Sequence, residues 1–396
     1  MAYITATYQI NETTRLEERA ESIATGLTVG TWTDLAHLEQ EQLRAFKGEV
    51  VLAEERDGKG YLTIRYPEHN VSRDFSAILT TVFGKLSLDG KVRLVDISLP
   101  ETFAADFTGA KFGTKGVRDL LGVHDRPLLM SIFKGVIGRD LSFLRDQLEA
   151  QLEGGIDIVK DDEILYDNKL TPTIERARVG RAVLDAHFET TGKRALYAIT
   201  LSGPVFGLKE QAKRLIGHGA TALLLNVHTY GLDVLRELAL DPEINVPVLS
   251  HPAYSGGMIG SADYGVSAPV LLGTLTRLAG ADLTLFPSPY GSVALDKEEA
   301  RGIAAEASRI GFTRPILPVP SAGIHPGLIP DILRDFGHDC VINAGGGVHG
   351  HPHGAASGVR AFHQAIEATL ARRPLQDAAR EHESLRLALD AWGVRA

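Results

Sequence analysis

The sequence predicts an α/β protein in two parts: a smaller ferredoxin-like α+β domain over residues 1–124, then a (β/α)8 barrel of TIM type with a helical tail over residues 125–396. Three observations predict it. Before His124 the extended and helical patterns follow the order β-α-β-β-α-β, that of a split βαβ sandwich. From Arg126 onward, short apolar runs alternate with amphipathic stretches, the pattern of a parallel sheet built from right-handed βα units. Polar residues follow each of these runs, where barrel enzymes keep their chemistry.

In the first part a strand is expected at Tyr3 to Ile10 and a helix from Thr14 to Thr25. A hairpin of Val50 to Glu55 and Tyr61 to Tyr66 turns at Asp57-Gly58. A helical stretch near Phe75 to Val82 and a strand at Lys91 to Ser98 complete the domain. The barrel strands are read at Leu128 to Phe133, Ile156 to Lys160, Leu196 to Thr200, Ala222 to Asn226, Val246 to Ser250, Leu283 to Phe286, Ile316 to Val319 and Cys340 to Asn343. Helices are read at Leu141 to Leu152, Glu210 to Ile216, Lys297 to Ile310 and Gly358 to Arg372, and the tail from Arg373 to Ala396 adds a covering helix. An open doubly wound sheet would place its phosphate loop after the first strand. Here the glycines come last.

Composition removes several function classes. A formal charge of -9 without a cluster of Lys and Arg argues against a nucleic-acid partner. The single cysteine, Cys340, leaves no pair for an internal disulfide and points to a reducing cytoplasm. No apolar run approaches the ~20 residues of a membrane helix. The start, MAYITATYQINETTRLEE, has no cationic stretch leading into an apolar core, so a cytoplasmic location is expected.

The strand ends carry Lys134, then Lys160-Asp161-Asp162-Glu163, Ser202, Asn226 with His228, His251, Ser288 with Ser292, Ser321-Ala322-Gly323 and Gly345-Gly346-Gly347. With a strand period of two, Lys160 and Asp162 share a face while Asp161 points the other way. Two carboxylates at one strand end suit Mg2+, which takes one or two carboxylates and keeps places for other oxygens. Spacing alone leaves open a lysine salt bridge at a loop mouth. The late glycines read as a phosphate cradle, because backbone N–H groups approach an anion closely where no Cβ intervenes. They would equally permit a plain tight turn. His349, His351 and His353, with no carboxylate beside them, read as surface or supporting groups rather than zinc ligands. Lys85, taken alone, reads as a solvated lysine.

Together these residues resemble the RuBisCO superfamily. Gly154 to Glu163 is similar to its GGxDxxKDDE signature, Ser321 to His325 to its SGGIH turn with Ala322 for the first glycine, and Gly345 to Pro352 to its GGGxxGHP loop. Two departures separate the chain from the carboxylases: Val136 stands where they have a second lysine after Lys134, and Ser292 where they have a mobile lysine. The segments Ala24 to Gly30, Phe83 to Gly90 and Phe286 to Ser292 resemble the RuBisCO-like (form IV) branch of 2,3-diketo-5-methylthiopentyl-1-phosphate enolases of methionine salvage.

The resemblance implies an isomerase that enolises a small phosphorylated diketone and does not fix carbon dioxide. It implies that Lys160 is carbamylated by CO2 to N6-carboxylysine and binds one Mg2+ per subunit with Asp162 and Glu163. It implies Lys85 as general base, and substrate contacts from Lys134, Lys160, Asp161, Asp162, Glu163, His251, Gly323, Gly345 and Gly346. It further implies a homodimer in which the small domain of one subunit covers the barrel mouth of the other. Three rivals stay open: a RuBisCO-like isomerase or decarboxylase acting on a different sugar phosphate, a metal-free aldolase using Lys134 or Lys160 as a Schiff-base amine, and a non-catalytic binder.

Overall fold

The computed structural model describes residues 2–32, 34–291 and 293–394. In the small domain β1 (Tyr3–Ile10), β2 (Glu49–Arg56), β3 (Lys59–Pro67) and β4 (Val92–Ser98) pair antiparallel in the order β4-β1-β3-β2. That is the ferredoxin-like arrangement the element order predicts. The β2–β3 hairpin turns at Asp57 and Gly58, with φ of 51° and 76°. Two successive positive φ values give a turn whose twist matches its strands, and an Asp-Gly pair accepts them. Ile4, Tyr8, Leu62 and Tyr66 of the sheet share one apolar cluster with Ala20 and Ile23 of helix Leu16–Gly26 and with Phe75 and Ile78 of helix Phe75–Leu79. The Tyr8 hydroxyl donates to the Val82 carbonyl at 2.5 Å and lies 2.7 Å from the Tyr66 hydroxyl. Burial pushes both phenols upward. This chain of hydroxyls ties the sheet to a π-helical turn, Thr80–Gly84, which Lys85 caps.

The remaining strands are β5 (Leu128–Ile132), β6 (Ile158–Lys160), β7 (Leu196–Thr200), β8 (Ala222–Leu225), β9 (Val248–Ser250), β10 (Gly265–Val266), β11 (Leu283–Pro287), β12 (Leu317–Ser321) and β13 (Val341–Asn343). All but β10 form a closed parallel barrel in chain order, with β13 returning to β5 through Val341 opposite Leu128. The bounds of all eight predicted runs agree with those of their strands to within two residues at either end. The period of two sorts their residues: Leu128, Met130, Ile158, Ala198, Leu224, Leu285 and Val319 fill the interior, while Leu129, Val159, Ile199 and Leu223 join the larger outer cluster. Val117 and Leu121 of helix Gly113–Leu121 enter the interior cluster and close the N-terminal end of the barrel. Asp282 holds that helix by accepting from the amides of Phe112 and Gly113 at 2.7 and 2.8 Å. The polar end is therefore the other one.

Three features were not anticipated. Helix Thr173–Thr191 is the longest among the described residues, and it buries Arg176 and Gly180 on its inner face, so its apolar stripe is interrupted. The tail holds two helices, Leu375–Ala379 and Glu383–Trp392, in place of one. β10 leaves the barrel to pair in parallel with β4, making a five-stranded mixed sheet. The two parts are joined at other points as well. Asp233 of the barrel accepts from the Phe75 and Ser76 amides at 3.0 Å each, and Arg236 donates to the carbonyls of Arg73 and Asp106 at 2.8 and 3.0 Å. No helix among the described residues is long and apolar enough to cross a membrane.

Asp233 thus supplements, from another part of the chain, the helix's own N-cap Asp74, which accepts from the Ala77 amide at 2.7 Å. Asp233→Ala is expected to cost about 0.5–2 kcal/mol, the usual range for a lost cap, measured as a lower urea midpoint with the barrel's circular dichroism retained.

Candidate active site

The strand end at β6 is built around a residue that faces away from the mouth. The Asp161 carboxylate is fully buried, 3.3 Å from the Arg176 guanidinium, and it accepts from the Tyr197 hydroxyl at 2.5 Å and the Thr200 amide at 3.0 Å. Burial pushes this carboxyl upward, and Arg176, Tyr197 and Thr200 oppose that push. Gly180 lets helix Thr173–Thr191 come close enough, since a Cβ there would lie 2.3 Å from the Tyr197 ring. Arg176 also donates to the carbonyls of Leu165, Tyr166 and Thr171 at 3.1, 3.2 and 2.6 Å, so one guanidinium holds the whole loop that follows the carboxylates.

With Asp161 turned outward, Lys160 and Asp162 turn in. The Lys160 side chain is 1% exposed; its amine donates to the Asp161 carbonyl at 2.9 Å and lies 3.6 Å from Glu163. Burial disfavours its ammonium form and pushes its pKa down. Asp162 lies 3.4 Å from the Lys134 amine, and Glu163 lies 3.4 Å from Nε2 of His251. Nδ1 of His251 accepts from the Ala253 amide at 3.1 Å, so the neutral ring carries its proton on Nε2, facing Glu163. Burial and the neighbouring Lys160 push His251 down to about 3. Burial alone takes His228 to about 4. The Asn226 amide donates to the Glu163 carbonyl at 3.0 Å.

Glycines shape the other side of the mouth. Ala322 and Gly323 both have positive φ, 71° and 67°. A Cβ on Gly323 would lie 2.3 Å from the Gly291 Cα, so the loops after β11 and β12 touch backbone to backbone. Ser288 reinforces this contact by donating from its amide to Ser321 at 2.7 Å and from its hydroxyl to Ala322 at 2.8 Å. A Cβ on Gly345 would lie 2.9 Å from Cε of Lys134, which brings the lysine against the glycine turn. Ser292 lies outside the described residues.

Lys134, Lys160, Asp162, Glu163 and His251 thus converge, with Gly345 against Lys134 and with Gly346 and Gly323 on the same end of the barrel. Asp161 does not join them. Its carboxylate is buried against Arg176, on the other face of the strand end. Lys85 stands apart too, lining a groove of about 410 Å3 on the small domain with Arg19, Ile23, Leu27, Leu88 and Asp89. Among the described residues no three His, Cys, Asp or Glu side chains are placed to hold a metal ion. Asp162 and Glu163 supply two carboxylates, and a third anionic oxygen donor would have to be made on Lys160. His349 donates to the Ile132 carbonyl at 2.8 Å and His351 to the Ser384 carbonyl at 2.9 Å, both structural tasks. Sequence reasoning missed Arg176 and Tyr197. The available signal was an arginine on the inner face of a helix beginning ten residues after Glu163.

Residues 3–103 match the family described as the ribulose bisphosphate carboxylase large chain, N-terminal domain, and residues 113–392 match its catalytic domain. A 2,3-diketo-5-methylthiopentyl-1-phosphate enolase of Exiguobacterium sibiricum is 73% identical over 394 residues, covering 100% of both chains. A rubisco-like protein (MtnW) from Alicyclobacillus acidocaldarius superposes with a TM-score of 0.91 at 46% identity, covering 99% of this chain and 100% of that one. A dimeric archaeal Rubisco from Hyperthermus butylicus gives a TM-score of 0.89 at 26% identity, covering 100% of this chain and 96% of that one.

Removing the guanidinium would leave the Asp161 carboxylate buried and unpaired. Arg176→Met is expected to cost about 3–5 kcal/mol, and the double variant Asp161→Asn with Arg176→Met less, read from urea denaturation of the wild type, the two single variants Arg176→Met and Asp161→Asn, and the double variant. A second expectation concerns pH. His228 is depressed to about 4 from 6.5, so the unfolded chain takes up a proton first. The stability His228 contributes is present above pH 6.5 and is lost as pH falls toward 4. The urea midpoint should drop across that window, and His228→Gln should make the drop shallower.

Proposed function

Because the chain belongs to the ribulose bisphosphate carboxylase large-chain family, we propose that it is a Mg2+-dependent enolase of methionine salvage. Its reaction would convert 2,3-diketo-5-methylthiopentyl 1-phosphate to 2-hydroxy-3-keto-5-methylthiopentenyl 1-phosphate. The observation that carries the reading is Lys160, a lysine 1% exposed at the bottom of a mouth it shares with Asp162 and Glu163. Burial favours its neutral amine, which is the form that can attack CO2. The new N–C bond and the loss of one N–H proton leave a carbamate, and a cation becomes an oxygen donor beside two carboxylates. That donor set suits a hard divalent cation. When bound, Mg2+ supplies a Lewis acid for the negative charge that develops as a C1 proton leaves.

The chain's own residues would do the rest. Lys134 and the amides of Gly323, Gly345 and Gly346 receive the phosphate, whose binding energy orients the reacting carbon. His251, neutral with its Nε2 proton facing the centre, donates a hydrogen bond without adding charge. Lys85 takes the C1 proton and returns one to oxygen. Val136 is buried among apolar residues where the carboxylases carry a lysine, and this supports enolisation without carboxylation.

Lys85 has no mouth residue in its groove, so a second copy would deliver it. The rim supports such a homodimer: Ile137, Ile164, Tyr166, Leu170, Phe206 and Tyr254 are all exposed on loops after barrel strands, with Phe206 wholly uncovered. Such an apolar rim is the usual mark of a surface that another chain covers.

The test is C1 proton exchange of the diketone phosphate in D2O followed by NMR, with Mg2+ and bicarbonate, then with chelator. Exchange that requires the metal and disappears in Lys85→Ala is expected; exchange that survives both would sink the reading. Mixing inactive Lys85→Ala and Lys160→Met chains should restore about a quarter of the activity, because half the dimers are hybrids with one intact site.

A further inference from the structure

Two polar atoms at the end of β8 are buried without a hydrogen-bond partner: Oδ1 of Asn226 and Nε2 of His228. Neither residue has a part in the chemistry described so far. A native chain rarely leaves buried polar atoms unmatched, and those it does leave commonly await water or ligand. The placement of this pair favours a ligand. Asn226 follows the last residue of a barrel strand, on the polar side of the barrel. Its amide nitrogen is already used on the Glu163 carbonyl at 3.0 Å, which sets the orientation of the group and directs Oδ1 elsewhere. His228 is close enough to His251 for the two rings to influence each other's charge, and His251 in turn touches Glu163. Asn226, through the Glu163 carbonyl, and His228, through His251, thus stand next to residues of the mouth that holds Lys160, Asp162 and Glu163.

The chemistry of this corner differs from that of its neighbours. Lys134, Lys160, Asp162 and Glu163 are ionisable groups suited to phosphate and metal. Asn226 cannot ionise, and burial keeps His228 neutral. With its proton on Nε2 a neutral His228 ring offers a donor, and the Asn226 Oδ1 offers an acceptor. We propose that Asn226 and His228 form an uncharged reading corner for a neutral oxygen of the bound substrate, a ketone that accepts from His228 or an enol hydroxyl that donates to Asn226. The inference rests on the enolase reading and deepens it. A diketone can use only the donor of this pair, whereas its enol can use both, so the corner holds the product form better than the substrate. Both are positioning residues, since the proton itself moves elsewhere.

The test compares His228→Phe, which keeps the ring volume without a polar nitrogen, with His228→Gln, which restores a neutral donor and acceptor. His228→Phe should raise KM for the diketone phosphate about tenfold, the weight of one neutral hydrogen bond. Its melting temperature should stay at or above that of the wild type, and His228→Gln should recover most of the loss. A second measurement needs no turnover. In Lys85→Ala protein labelled with 15N-histidine, the diketone phosphate should shift the His228 Nε2 resonance, and inorganic phosphate alone should not. An unchanged KM in His228→Phe, or a resonance that ignores the diketone phosphate, would overturn the inference while exchange in the wild type keeps the enolase reading. No exchange in the wild type would overturn that reading and this inference with it.

Discussion

A β-strand sends successive side chains to opposite faces, and at β6 a buried ion pair holds that alternation in place. Asp161 can face outward only because Arg176 meets it there, with Tyr197 and the Thr200 amide completing its contacts. A slip of one residue would bury Lys160 against Arg176 and expose Asp161 to the mouth, placing like charges together and leaving two carboxylates on the wrong face. Buried pairs of this kind add little net stability over an apolar packing; their value lies in the arrangements they forbid. The same guanidinium reaches three carbonyls of the following loop, so the orientation of Asp162 and Glu163 depends on a residue that touches neither.

Much of the fold was legible because parallel strands are covered on both faces and therefore read as continuous apolar runs. The boundaries of Leu128–Ile132 and Leu196–Thr200 follow directly from that property, as does the hairpin from Asp57-Gly58. Helix Thr173–Thr191 was less legible for the opposite reason. Its inner face carries Thr173, Arg176 and Gly180 to suit a polar partner and a close approach, and an apolar stripe is what a reader of periodicity looks for. β10 is two residues long and owes its existence to the free edge of β4. No local pattern encodes such an edge.

The candidate site was legible in composition more than in arrangement. That lysine, two carboxylates, a histidine and glycines end successive strands could be read directly, because the barrel topology gathers strand ends. Which of them face inward depended on partners far along the chain: Asp161 on Arg176, Glu163 on Asn226 and His251. Lys85 shows the limit most clearly. Its position is set by the Tyr8 hydroxyl on the Val82 carbonyl and by a π-helical turn, neither of which has a sequence period, and the groove it occupies belongs to the small domain.

The loop after β11 is tethered at three places. Ser288 is bonded to the neighbouring turn, Gly291 is interlocked with Gly323, and the Tyr290 hydroxyl donates to Asp335. Asp335 is a firm anchor: although burial pushes its carboxyl upward, Tyr290, Arg301 and Lys297 hold it well below the usual carboxylate range. A hinged cover needs slack at its base, and residues 288–291 have none.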